Sequence, residues 1–553
     1  MKRDLSGRFG VGGLGLAVVL AAAAVASACN SSEAVSRERD SDSSRAPHRG
    51  GAFHLVVEAP HYLDPVAVDS VYDALPVGQI FDGLVALDPG LNIVPALADT
   101  WTISRDGRIY TIHLRDGVRF HDGTPLTSAD VVFSLKRLLD PARDKKSIGV
   151  SYLQVVDGAP AYSGGRSPKL PGIVAIDPRR VEIRLTRPYL SFLEVLAMDD
   201  LRIVPEKAVT AMGDEAFHRA PIGTGPFRFA SWTDTELKLA ANPDYFGGAP
   251  YLDQVVILFP RPHEHDSGNA RFARGETEMV EPTSDSLPSL LADPAIEVHR
   301  YQDLSLSFMG LNTGRPPLDD VRIRRAIACA IDRKSLASLS PTTRREAQGI
   351  LPPGLPSYSP APKALPFDPE ASRRLLTEAG YPGGRGLKPL PFFTAQSDSS
   401  AVNNTIEQLR SNLAAVGITL EIHKVTWREL IARIEDHDAP MFQLGWVADL
   451  PDPDSFLRTL FEPGGSANYF DFRDQDTGLS LERGASETNP LERARIYREI
   501  EKTVLDGAPL VPLFHSMGMI ASRRTVHGLK SGPMGIGSLA LEHVWIDADG
   551  GAR

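Results

Sequence analysis

Cysteine is nearly absent: the 553 residues contain only Cys29 and Cys329. That excludes a disulfide framework, so stability must come from a packed core. Basic charge is also short, with 59 Lys and Arg against 70 Asp and Glu and a formal charge of −11, which argues against a nucleic-acid partner. No apolar run long enough for a membrane span follows the first 28 residues. Catalytic signatures are missing as well. There is no Gly-x-Ser-x-Gly elbow, no His-Glu-x-x-His, no Gly-x-x-x-x-Gly-Lys and no Cys-x-x-Cys, so nothing positive supports an enzyme. Gly10-x-Gly12-x-x-Gly15 meets the dinucleotide pattern only formally, because no strand precedes it and it lies in an apolar leader. Neither a cofactor nor a metal is expected.

The leader itself is informative. Lys2, Arg3 and Arg8 precede an apolar, small-residue stretch, and Ala26-Ser27-Ala28 stands directly before Cys29. Residues 1–28 read as a secretory signal. Small residues before a cysteine resemble a lipoprotein box, with Cys29 as the lipidated first residue of the mature chain. Removing residues 1–28 takes away three positive charges and one negative, leaving −13. Residues 29–49 are polar and charged and read as a flexible tether, reaching ~25 Å on flexible-chain scaling. About five hundred residues remain, enough for two or three domains. Cys329 falls in the apolar helical pattern Val321–Ile331 and is expected to be buried.

The richest stretch runs from Pro95 to Pro141. Asp106-Gly107 separates Trp101–Ser104 from Arg108–Leu114, where Tyr110, Ile112 and Leu114 alternate with Ile109, Thr111 and His113, a β-hairpin pattern. Asp122-Gly123 makes a second turn. Thr127, followed three residues later by Asp130, then sits where a helix N-cap belongs. Other segments punctuate the chain in a fixed order: Leu63-Asp64-Pro65, Phe81-Asp82-Gly83-Leu84, Pro221-Ile222-Gly223-Thr224-Gly225-Pro226-Phe227, Asn242-Pro243-Asp244-Tyr245-Phe246, and Leu306–Lys334. The glycines of the 221–227 turn are expected to permit positive φ. Helices Glu370–Ala379 and Thr405–Val416 each end at a glycine, Gly380 and Gly417, and strand Ile418–Val425 follows. Alternation of strands and helices argues for α/β lobes.

Together these segments resemble the family 5 extracellular solute-binding proteins of ABC importers, over nearly the whole chain from Gly50 to about Trp545. The resemblance implies an α/β, two-lobed periplasmic-binding-protein-like fold of type II, in the large cluster that carries an inserted subdomain, with the ligand cleft between lobes. It places lobe I at 50–81, 199–308 and 508–547, the inserted subdomain at 82–198, and lobe II at 309–507, with crossings near Leu311 and Asp506. It implies a monomeric, lipid-anchored extracytoplasmic receptor, on the periplasmic side of the membrane, that captures oligopeptides and delivers them to ABC permease subunits.

The candidate site is the segment Phe442–Phe456. Gln443–Ala448 reads as an apolar strand ended by Asp449, while Asp452-Pro453 suits an N-cap with proline at N1 and Asp454 the first helical turn. Asp452 and Asp454 are therefore expected to be turn formers. By the resemblance, the backbone of Gly445, Trp446 and Val447 pairs with a peptide as an added strand, and Asp449 receives its α-ammonium. Asp69 and Val71 come from the loop after Leu63-Asp64-Pro65, and Phe514 or His515 from the return strand. Gln443 stands where some peptide binders carry an arginine, which leaves peptide length open. His263-Glu264-His265 reads as a solvated loop, and Phe456 breaks any calcium loop built on Asp452-x-Asp454. A nickel chelate, haem, an opine or an oligosaccharide remain alternative cargoes, since fold does not fix ligand. A signalling receptor, a chaperone or a secreted hydrolase are alternatives outside transport.

Overall fold

The Asp106-Gly107 turn forms as its chemistry dictates. Gly107 takes φ +69°, and the strands Ala98–Ile103 and Ile109–Leu114 pair antiparallel with Trp101 opposite Ile112. Tyr110, Ile112 and Leu114 face inward and are buried. Arg180–Arg184 and Ile173–Asp177 complete this four-stranded sheet. Helix Ser128–Leu138 packs with these strands, and its Thr127 cap is closed by Asp130, whose Oδ2 accepts from the Thr127 N–H at 2.9 Å. The computed structural model describes residues 46–547 apart from 144–146, 261–266, 284, 362–363, 398 and 466. The leader, Cys29, most of the tether and His263-Glu264-His265 lie outside the described residues.

A second four-stranded sheet joins the start of the fold to its middle. Ala52–Val56 pairs parallel with Gln254–Leu258, which continues antiparallel through Glu236–Ala241 to Phe227–Trp232. Asp64 of the Leu-Asp-Pro turn is held by the Arg137 guanidinium at 2.8 Å, which fixes that turn to helix Ser128–Leu138. The 221–227 turn departs from expectation. Neither Gly223 nor Gly225 has positive φ. They are glycines because the turn presses on the end of helix Val71–Ile80, where an added Cβ would lie 2.0 Å from the Ile80 carbonyl oxygen at 223 and 2.4 Å from that of Gln79 at 225.

The largest sheet has eight strands. Its main path runs Met279–Val280, Leu510–Arg523, Ser305–Leu311, Met441–Val447, Leu390–Ala395 and Leu420–Val425. Ser305–Leu311 is covered on both faces: Phe308 joins one core with Phe442, Phe456 and Tyr497, and Met309 joins another with Ile327, Phe392 and Val511. Such two-sided burial gives a near-continuous apolar strand. The long strand Leu510–Arg523 changes partners midway. Residues 510–514 pair with Ser307–Gly310, and Met517–Arg523 pair with Ile296–Gln302. The chain thus passes between halves of this sheet at Gln302–Ser305 and again near Ser516. Cys329 is buried in helix Val321–Ala330.

Candidate functional site

Strand Met441–Val447 has one occupied edge and one largely open edge. Its full length pairs with Ser305–Leu311, but on the other side Leu390–Ala395 reaches only Met441 and Phe442. From Gln443 to Val447 no described strand takes the second edge. A Cβ added at Gly445 would meet nothing within 4 Å, and Val447 is 42% exposed despite being apolar. Trp446 is anchored by its indole N–H, which donates to the Ser455 carbonyl at 2.8 Å.

Beyond this edge lies a cavity of about 1580 Å³. Trp446, Val447, Asp449, Asp69 and Val71 all border it. Gly445 lies beside them on the open edge. His515 is different: it is 1% exposed, does not border the cavity, and sets its Nδ1 2.8 Å from the Ser305 carbonyl. Burial pushes its imidazole down to about 4. The structure thus packs His515 inside the protein, apart from the residues that border the cavity. Phe514 lies under the Arg344 guanidinium, 4.1 Å from its ring centre, and is also off the cavity wall.

Asp449 ends the strand with its backbone N–H donating to the Ser455 hydroxyl at 2.7 Å. The Tyr152 hydroxyl reaches across from the 82–198 segment to its carboxylate at 3.3 Å. Burial first, and the charge of Asp200 second, push Asp449 up to about 7. Asp200 borders the same cavity, is 5% exposed, and is pushed by burial up to about 6. One of its oxygens accepts from the Ser147 hydroxyl and from the Gly149 N–H at 2.7 Å. The other has no hydrogen-bond partner. No ion pair joins Asp449 or Asp200 to a described arginine or lysine. Glu194, also on the wall, is raised by burial to about 7.

The helix begins at Asp454, and the Asp452 Oδ1 accepts from the Asp454 N–H at 2.8 Å, so Asp452 forms the turn that enters it. Asp452 also pairs with Arg493 at 2.7 Å and accepts from the Ser191 hydroxyl, while Asp454 faces Arg458 at 3.3 Å and accepts from the Tyr497 hydroxyl. Arg187 adds a pair to Glu482 at 2.9 Å. Ser191 and Arg187 belong to the 82–198 segment, so these contacts tie it to the helices around Asp452 and Glu482.

His61, Asp69 and Asp73 bring ligand-type atoms within 4.8 Å of one another. Asp73, however, already accepts from the backbone N–H groups of His61 at 2.6 Å, Tyr62 at 3.1 Å and Asp69 at 3.2 Å. That carboxylate organises the loop entering helix Val71–Ile80.

Sequence reasoning missed Asp200, Tyr152, Ser147 and Glu194. The adjacent pair Asp199-Asp200, at the point where the inserted segment was expected to end, was the one available signal.

The profile of bacterial extracellular solute-binding proteins, family 5 Middle, matches residues 92–468. Among curated proteins, di/tripeptide-binding protein 2 of Pseudomonas aeruginosa is 30% identical over 86% of this chain and 91% of its own length. Heme-binding protein A of Haemophilus influenzae is 28% identical over 93% and 96%. Among solved structures, the DppA periplasmic binding protein of Helicobacter pylori, in complex with the peptide STSA, superposes with a TM-score of 0.79 at 25% identity, covering 90% of this chain and 98% of that one. With this profile spanning most of the chain and relatives aligned almost end to end, the chain belongs to the family 5 bacterial extracellular solute-binding proteins, a class of receptors that act outside the cytoplasm.

Proposed function

We propose that this receptor captures short peptides between two lobes and delivers them to the permease of an ABC importer. The observation that carries the reading is the edge of Gln443–Val447, open among the described residues, which ends at an Asp449 carboxylate with no described arginine or lysine partner, beside a cavity. A peptide laid along that edge as an added strand gains main-chain hydrogen bonds whatever its side chains. Its α-ammonium then meets a carboxylate that burial has left short of a cation. Asp69 and Val71 close over it from the opposite wall. The volume exceeds the ~300–1,000 Å³ usual for small-ligand sites, which suits an oligopeptide. The peptide-binding relatives support the same cargo.

In this reading lobe I comprises 50–81, 199–308 and 508–547, residues 82–198 form the inserted subdomain, and lobe II comprises 309–507. The crossings near Leu311 and Asp506 act as the hinge. Ligand stabilises the closed arrangement through differential contacts with both lobes. Residues 1–28 direct export, and a lipid on Cys29 holds the monomer at the membrane. The chain binds and releases its cargo without chemistry.

The test is native mass spectrometry of co-purified ligand, joined to amide exchange with the identified peptide. The reading expects free-amino peptides and new protection within Gln443–Val447. A non-peptide cargo, or no change at those amides, overturns it.

A further inference from the structure

Two carboxylates bordering one cavity present a charge problem that a single α-ammonium does not solve. Asp449 sits at the strand end; Asp200 lies in the short helical turn Asp199–Leu201. Asp200 is held rigidly. The Ser147 hydroxyl and Gly149 N–H both donate to its Oδ2, and an added Cβ at 149 would lie 2.5 Å from that oxygen, so only glycine leaves room for the carboxylate. Its Oδ1 remains without a partner although the residue is 5% exposed.

Among the described residues no arginine or lysine pairs with either carboxylate, although Lys530 also borders the cavity. Arg202, two residues after Asp200, turns to Asp199 at 2.6 Å and to the Phe81 carbonyl. Arg143 pairs with Asp214 at 2.9 Å, and Arg115 lies over the Phe246 ring. The other groups facing the pair are acidic or neutral: Asp199 beside Asp200, and Tyr152 and Tyr469 beside Asp449. A buried carboxylate without a cation either protonates or waits for one.

We propose that the preferred ligand carries a second positive charge on its first residue, a peptide beginning with lysine, arginine or ornithine, whose side-chain cation is received by Asp200 while Asp449 holds the α-ammonium. This rests on the peptide reading above. A peptide with a neutral first residue leaves Asp200 protonated or unpaired and binds more weakly. The Asp200 carboxylate is thus a specificity-determining group for first-residue charge.

The experiment is calorimetric titration at pH 7.5 of three tripeptides that differ only at position one: lysine, Nε-acetyl-lysine and leucine. With the wild-type protein, lysine should bind at least about tenfold tighter than its Nε-acetyl form, which keeps the length and removes the charge. Asp200→Asn should bring the three to within about threefold of one another. Equal affinities for lysine and Nε-acetyl-lysine on wild type overturn the proposal, and so does an undiminished preference in Asp200→Asn. Should that variant not fold, the wild-type comparison alone decides. Asp449→Asn separates the two levels. If it weakens all three peptides while charge at position one makes no difference, the peptide reading stands and this inference fails. If it weakens none, the reading fails and takes the inference with it.

Discussion

Two pairs of aspartates, a few residues apart in sequence at one end, have opposite fates. Asp452 and Asp454 are buried with Arg493 and Arg458 facing them and with hydroxyl donors from Ser191 and Tyr497. Asp449 and Asp200 are held by hydroxyl or backbone donors alone and face a cavity. The difference shows what separates a structural carboxylate from one kept for a ligand. Asp452, Asp454 and Asp200 are buried and Asp449 is half-buried; among the described residues only the first two have a cation beside them. Where the cation is built in, the pair ties elements together. Where it is missing, the protein has kept a charge for something that arrives later.

The sharpest way to break this comparison is to remove one member of the arginine-paired set. Asp452→Ala leaves Arg493 buried without its anion, and unfolding by urea should show a loss of ~3–5 kcal/mol. A change below about 1 kcal/mol would mean that the Asp452 pair contributes no more than a surface contact. Asp449→Asn should behave in the opposite way. Stability is kept, while affinity for a free-amino peptide measured by calorimetry falls at least about tenfold.

A pH series sharpens the contrast further. Asp449 and Asp200 have folded-state values raised to about 7 and about 6, so the folded protein binds more protons than the unfolded chain in the acidic range. Their contribution to stability is complete below the ordinary carboxylate range and is lost as pH rises through 6 and 7. These two carboxylates alone should therefore give the unliganded protein a gain of ~4 kcal/mol on going from pH 7.5 to 5. The Asp449→Asn, Asp200→Asn double variant should gain less, keeping only the part that comes from other raised carboxylates, among them Glu194, Glu281 and Asp303. An identical gain in both proteins would remove the two carboxylates from the account.

The smallest effect concerns glycine. Gly445→Ala adds a methyl to open space, and stability should move by less than ~0.5 kcal/mol. Gly223→Ala drives a Cβ into the Ile80 carbonyl and should cost ~1–3 kcal/mol. Thermal unfolding of the two variants side by side checks both.

What could be read from the sequence was whatever the local chain decides by itself. Asp106-Gly107 makes its hairpin because the turn needs only those two residues and alternating neighbours. The Thr127 cap forms because Asp130 is one helical turn away. The strand ending at Asp449 was legible because Gln443–Ala448 is apolar and Asp449 stops it. The opposite wall was not, since Ser147, Gly149, Tyr152 and Asp200 meet only after the inserted segment folds back. The same distance hid the further partners of Asp452 and Asp454: Arg493 and Tyr497 lie far along the chain, while short-range rules read only the turn that Asp452 makes with the Asp454 N–H. At Gly223 and Gly225 the residue type was informative, but its reason was contact with Ile80 and Gln79 rather than backbone angle. His515 was named from its position on the return strand, and sequence alone gave no sign that its side chain turns inward.

The most direct test of the central claim compares one short peptide with its Nα-acetyl derivative, titrated by calorimetry into the wild-type protein at pH 7.5. Acetylation removes the cation and keeps almost everything else. If Asp449 receives the α-ammonium at the end of an added strand, the acetylated peptide should bind at least about tenfold more weakly. Equal affinity for the two would contradict the account.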